Sequence, residues 1–222
     1  MFKEIKYDHQ FPNPLNYSWM NIDSLFMMSP DDYPKIKPLL KQIQSWDRKA
    51  SADSYGAGAY GILYLKLRKY YRILPEPKVF TKSILKKALI ETNQHMIKYF
   101  GKSQVKLGTF QKLVRGDKEL PVFGLPDVVT SMGSIPYKGG KTRVVSGESY
   151  IELVKFSKYG VEIESIISYG SSDDIGKSLN FDGENWSVSQ YNWSILYESQ
   201  SVNVIEKTLE TTGSWSSDIT DL

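Results

Sequence analysis

SWDRKASADSYGAGAYGILYLKL, running from Ser45 to Leu67, is the stretch on which the fold depends. Asp53 and Ser54 are residue types that cap helices, because a short side-chain oxygen accepts from the free N–H groups of the first turn. Behind them Ala57, Tyr60, Gly61, Leu63, Tyr64 and Leu67 recur at helical spacing, which predicts a helix ending before Pro75. Its glycines and alanines let a neighbour approach closely. Gly56, Gly58 and Gly61 also satisfy G-x-G-x-x-G, the spacing that brings backbone up to a pyrophosphate. That motif belongs directly after a buried strand, whereas the polar DRKASADS precedes it here, so the glycines are packing positions and no dinucleotide site follows.

Outward from this helix, the pattern on both sides stays helical. From Pro30, the acidic pair Asp31 and Asp32 suits a helix start, and Ile36, Leu39, Leu40, Ile43 and Trp46 follow the helical period. Pro34 fits a first turn, and Pro38 either kinks this helix or delays its start. A third helix is expected from Thr81, carrying Leu85, Ala88, Leu89, Met96, Tyr99 and Phe100 and stopping at Gly101. The first 30 residues are rich in Pro, Asn and aromatics without a period, as in an irregular segment that packs against something else. The second half is strand-like. Tyr150 to Phe156 and Val161 to Ile167 alternate around a turn at residues 158–160, a hairpin with apolar residues on both faces that predicts burial inside a layered fold. From Gly170 the chain is rich in Ser, Asn, Asp and Gly, with one helical stretch around Val202 to Leu209.

Composition excludes several functions. The 222 residues are 41% hydrophobic and 13% aromatic, which suits a folded chain with a sizeable core. The formal net charge is +3, from 28 basic and 25 acidic residues, and dispersed basic residues argue against nucleic acid. With no cysteine there are no disulfides, thiolate metal sites or cysteine nucleophiles. No apolar run approaches the roughly 20 residues that span a bilayer, and the N-terminus lacks the features of a signal peptide.

Candidate chemistry is sparse. The triplets at Gly101, Gly140 and Gly176 resemble phosphate loops, but Met96, Ile135 and Ser171 stand where the second glycine is needed. Of the two histidines, His95 is expected on the charged side of its helix beside Glu91 and Lys98, and His9 lies in the irregular start. Asp31/Asp32, Asp173/Asp174 and Asp182 with Glu184 match no calcium-loop template. The sequons at Asn16, Asn185 and Asn192 matter only in a eukaryotic secretory setting.

Three spaced motifs nevertheless carry a resemblance. Ser45–Ser54 resembles the WD-x-x-x-x-x-DS stretch of the penicillin acylase (penicillin amidase) and acyl-homoserine-lactone acylase family. LGTFQKLVRGD from Leu107 to Asp117, followed by Leu120-Pro121 and Pro126-Asp127, is similar to that family's W-G-x-x-x-x-x-x-R-G segment. Ser146-Gly-Glu-Ser-Tyr150 with Val154, then Ser168-Tyr-Gly-Ser-Ser-Asp173, is similar to its G-x-S-Y strand and x-G-x-S-x-D turn. After residue 175 the pattern departs, since Asn180-Phe-Asp-Gly-Glu-Asn-Trp186 stands where the family has H-Y-x-D-Q.

The resemblance implies an α+β chain, helical first and then built of antiparallel strands, forming an incomplete portion of an N-terminal-nucleophile αββα layered fold. Its divisions would be a lead-in 1–29, a helical part 30–105, a strand-rich part 106–175 and a divergent tail 176–222. In the family a processed serine attacks a linear amide, with its own α-amino group as base. Backbone N–H and an asparagine side chain stabilise the oxyanion. These residues, and the calcium that the family often binds, lie upstream of everything matched here. Met1, followed by Phe-Lys-Glu, does not resemble the serine-led start of a processed subunit. The expected site list is therefore empty: no catalytic, cofactor-binding or metal residue, with the remainder of the bacterial hydrolase as partner. Neither nucleic acid nor membrane is expected as a partner, and localisation would be periplasmic or secreted where the parent enzyme is exported. The alternative is a non-catalytic binding module using the aromatic tail of Trp186, Tyr191, Trp193, Tyr197 and Trp215.

Overall fold

The computed structural model describes residues 5–12, 22–74, 80–147, 150–158 and 160–167. Two units divide the chain, Met1–Gly147 and Glu148–Leu222. The first holds a short helix α1 (Asp23–Phe26), a 3₁₀ turn (Pro30–Asp32), and helices α2 (Lys37–Gln44), α3 (Tyr55–Tyr71), α4 (Lys82–Phe100) and α5 (Leu107–Phe110). Strands β1 (Gln111–Arg115), β2 (Lys118–Pro121), β3 (Gly133–Pro136) and β4 (Thr142–Ser146) complete it.

The helices start and stop where side chains satisfy their free backbone groups. Ser54 caps α3 by accepting from Ala57 N at 3.1 Å, and Thr81 caps α4 by accepting from Ile84 N. Gly101 ends α4 with φ 67°, a left-handed conformation that glycine adopts without a Cβ clash. Gln44 donates from Nε2 to the carbonyls of Leu25 and Met28, at 3.1 and 2.8 Å, and so ties the end of α1 to α2. The expected helix from Pro30 is shorter at its start. Residues 30–32 make a single 3₁₀ turn, and α2 begins only at Lys37, with Pro38 in its first turn where its missing N–H costs nothing. Asp31 reaches forward instead to Lys37 Nζ at 2.5 Å.

α3 lies at the centre of the helical layer, with every residue from Gly56 to Tyr64 buried. Leu39, Leu40 and Ile43 of α2 and Leu85, Ala88, Leu89 and Met96 of α4 share its core. Each such fully buried aliphatic side chain contributes about 1.5–3 kcal/mol relative to exposure. Phe11, Trp46 and Tyr60 meet at ring-centroid separations of 5.1–5.4 Å, which brings Phe11 into the same core.

The four strands form one sheet in the order β2-β1-β4-β3. Gly116, at φ 60°, opens the two-residue loop of the β1–β2 hairpin. β1 and β4 run parallel, with Gln111 opposite Thr142, so the sheet is mixed and the expectation of purely antiparallel strands is corrected. The reason is topological: β4 arrives from the hairpin with β3 and adds to β1 on the side that β2 leaves open. Gln111, Leu113, Thr142 and Val144 are buried, while Arg143 and Val145 are exposed.

In the second unit β5 (Tyr150–Ser157) and β6 (Gly160–Ile167) form the expected hairpin, in unbroken register from Tyr150↔Ile167 to Ser157↔Gly160. Burial on both faces is not observed. Val154 and Phe156 are exposed, Phe156 by 79%. The stretch Val202–Leu209, the sequons, Asp173/Asp174, Asp182/Glu184 and the aromatic tail lie outside the described residues.

Gly58 tests the packing directly. A Cβ there overlaps Val105 O, a backbone atom that cannot rotate away, whereas a Cβ on Gly61 meets Leu125 and Phe110 at an ordinary 3.4 Å. Gly58→Ala should lower the unfolding free energy in urea titrations by about 3 kcal/mol. Gly61→Ala should change it by less than about 1 kcal/mol, since helix propensity offsets the tighter fit. Equal effects would show that α3 is not in contact with the turn at Val105.

Candidate functional site

The first two motifs, far apart in sequence, meet in one place. Each residue of the Trp46–Ser54 segment has a local task. Trp46 donates from Nε1 to Lys49 O at 2.9 Å, and Asp47 Oδ1 accepts from Lys49 N at 3.0 Å, closing a tight turn. Arg48 sits at φ 64°, an uncommon conformation for a residue with a Cβ, and places its guanidinium 4.8 Å from the Phe26 ring centre. Asp53 pairs with Lys106 at 2.8 Å, which raises the lysine's pKa. Ser54 caps α3.

The backbone of this segment then binds its neighbours on several sides. Phe11 N donates to Arg48 O at 3.0 Å, and Ala50 N to His9 O at 2.9 Å. Leu107 N donates to Ser54 O, Gly108 N to Ala52 O at 2.7 Å, and Gly124 N to Ala50 O at 2.8 Å. Gly108 permits the approach, since a Cβ there overlaps Pro121 and presses on Ala52. The WD-x-x-x-x-x-DS and L-G-x-F segments are thus two halves of a clasp. Of the third motif Ser146, Gly147, Tyr150 and Val154 are described, whereas residues 168–173 are not.

His9 lies in the clasp. Its Nδ1 faces Tyr7 O at 3.1 Å and its Nε2 faces Ser51 Oγ at 3.0 Å. With Nδ1–H donating to the carbonyl, Nε2 accepts from the Ser51 hydroxyl. A serine beside an imidazole is the beginning of a nucleophile–base pair, but here a backbone carbonyl stands where a triad has a carboxylate. The pair fastens residues 7–9 to the loop and is assigned no catalytic role. The sequence placed His9 only in the irregular start, and its partner Ser51, 42 residues away, was not visible there.

His95 requires the larger correction. It is half-buried, donates from Nε2 to Gly140 O at 2.6 Å, and packs against Tyr99, Phe100 and Phe110 with centroids 4.8–6.2 Å away. Burial lowers its pKa below the usual 6.5, helped by the nearby cations Lys66 and Lys98 and opposed by the Gly140 hydrogen bond. The helical period placed it on the charged side, and the loop that covers it was not visible from α4 alone. Gly140, part of one apparent phosphate-loop triplet, serves here as a turn at φ 71° packed on Tyr99.

A second polar group lies on the sheet. Glu119 accepts from Lys141 at 2.5 Å and pairs with Lys138 at 3.0 Å, and these lysines hold its carboxyl below the usual range. Lys112, pushed down by burial and then by Lys141, completes the group. Among the described residues no three His, Asp or Glu side chains gather to hold a metal ion. No helix described is long and apolar enough to cross a membrane.

No family model matches the chain. It bears a distant but consistent similarity to curated acyl-homoserine lactone acylases, in keeping with the acylase-like motifs. Among curated proteins it is similar to the acyl-homoserine lactone acylase PvdQ of Pseudomonas fluorescens, 25% identical over 186 residues, or 74% of this chain and 24% of the relative. The same enzyme of Pseudomonas syringae is 22% identical over 190 residues, and that of Pseudomonas savastanoi 24% over 190, each match covering 75% of this chain and 24% of the relative. The chain therefore spans about a quarter of the length of the curated relatives it matches.

The depressed His95 pKa has a consequence for stability. Protonation of this residue favours the unfolded chain, so its contribution is fully present above about pH 6.5 and is lost as the pH falls through the lower folded value. The difference in unfolding free energy between the parent and His95→Gln, which keeps a donor for Gly140, should be constant above pH 6.5 and change below it. Parallel stability–pH profiles for the two proteins would refute this.

Proposed function

We propose that the chain is the C-terminal structural portion of a penicillin-acylase-like hydrolase that cleaves linear amides, releasing an acyl group from an amine, and that it is inactive alone. The single observation that carries this reading is the asymmetry of coverage, 74% of this chain against 24% of the relative. The clasp supports it. The motif side chains whose contacts are described are engaged in turns, caps and ion pairs, which is the work of a scaffold.

On this reading the nucleophilic serine, its α-amino base and the oxyanion donors belong to the remainder of the enzyme, and this portion buries the far side of the catalytic sheet in a layered αββα arrangement. Localisation follows the parent enzyme, periplasmic or secreted where that is exported. The curated relatives are named for acyl-homoserine lactones, so these amides are the first substrates to test, beside phenylacetyl amides.

The purified chain should release no amine from either substrate above the buffer rate. Adding the serine-led upstream portion should restore hydrolysis, in proportion to complex formed. Turnover by this chain alone, or an unrelated protein encoded immediately upstream, would overturn the proposal.

A further inference from the structure

The net charge of +3 conceals an uneven distribution, which corrects the expectation that the basic residues are dispersed. Residues 55–102, from the start of α3 to the turn after α4, hold ten of the 28 basic residues and two of the 25 acidic ones, an excess of eight positive charges. The fold brings several of these together. Tyr70 of α3 donates to Glu91 of α4, and Lys87 Nζ lies 5.5 Å from the Tyr70 ring centre, so the last turn of α3 lies beside the middle of α4. Further along, Lys66 and Lys98 both act on His95. Lys66, Lys69, Tyr70 and Ile73 follow the helical period along one side of α3, with Arg72 adjoining. Glu91, the acidic residue described in this stretch, is already engaged by Tyr70.

The apolar component of this surface distinguishes among anionic partners. Ile73 is 77% exposed just past the end of α3, next to the exposed Arg72, while Tyr70, Tyr71 and Leu74 pack against the core. A phosphodiester backbone offers an exposed isoleucine nothing to bury against. At a bilayer surface, by contrast, basic side chains meet anionic headgroups while an exposed aliphatic tip such as Ile73 enters the boundary below. We propose that the basic end of the α3–α4 pair, centred on Lys69, Arg72, Ile73 and Lys87, docks on an anionic phospholipid surface. This peripheral association departs from the expectation, drawn from the sequence alone, that no membrane is a partner; it involves no membrane-spanning role and does not depend on the acylase reading.

The test is co-sedimentation of the 222-residue chain with phosphatidylcholine vesicles, with and without phosphatidylglycerol. Binding should require phosphatidylglycerol and weaken as salt rises. At about fivefold per basic residue, the double variant K69E/R72E should lose more than tenfold in partitioning. Ile73→Ser should lose severalfold at fixed salt, and Lys41→Glu, outside the surface, should bind like the parent. All these positions except Ile73 are exposed charges, and matching thermal melts would confirm intact folding. Failure to bind, equal binding to neutral vesicles, unchanged binding by K69E/R72E, or equal competition by duplex DNA would each overturn the proposal.

Discussion

Between Trp46 and Ser54 the chain passes beside the core largely without helix or strand, and such a segment has no ladder of its own to satisfy its N–H and C=O groups. Its partners come from elsewhere: His9 and Phe11 on one side, Leu107, Gly108 and Gly124 on the other. A buried polar group left without a partner costs about 1–3 kcal/mol, so these bonds fix where the neighbouring segments lie. The position of α5, the start of β1 and the path of the N-terminal residues all follow from that requirement.

The same constraint accounts for the small residues. Backbone-to-backbone hydrogen bonds bring main chains within about 3 Å, and side chains at the contact must be absent or short. Ala50 and Ala52 lie in the clasp, Gly108 and Gly124 donate into it, and Gly56 and Gly58 bring α3 against Trp46 and the turn at Val105. The spacing that resembles a dinucleotide fingerprint therefore arises from a different cause, a helix packed on a neighbouring turn. Glycine spacing reports a close approach and leaves open what approaches.

Local rules were legible in the sequence, and non-local ones were not. Ser54, Thr81 and Gly101 mark the ends of α3 and α4 because capping acts over three or four residues. The 150–167 hairpin is equally local. The β1–β4 sheet was not resolved as such. Its strands are four or five residues long, two of its buried positions are the polar Gln111 and Thr142, and its parallel pair joins segments about thirty residues apart. Gln111 is tolerated inside because its Nε2 donates to Gly124 O at 2.7 Å, a bond that no pattern of hydropathy reveals. His95 was misplaced for the same reason: the residues that bury it come from another part of the chain.

The motifs themselves show why a sequence signature need not mark catalysis. A catalytic group must retain a lone pair or a proton for the substrate, whereas Asp47 and Ser54 direct theirs at backbone N–H, Asp53 at Lys106, and the Trp46 N–H at a carbonyl. What such a motif preserves is the shape of a turn and the direction in which a helix leaves it. A catalytic sheet tolerates displacements of about 0.5 Å, and that tolerance is met by fixing the elements behind it through short, fully satisfied hydrogen bonds. On the proposed reading, the clasp would contribute to amide hydrolysis through that rigidity, with the chemistry supplied elsewhere in the enzyme.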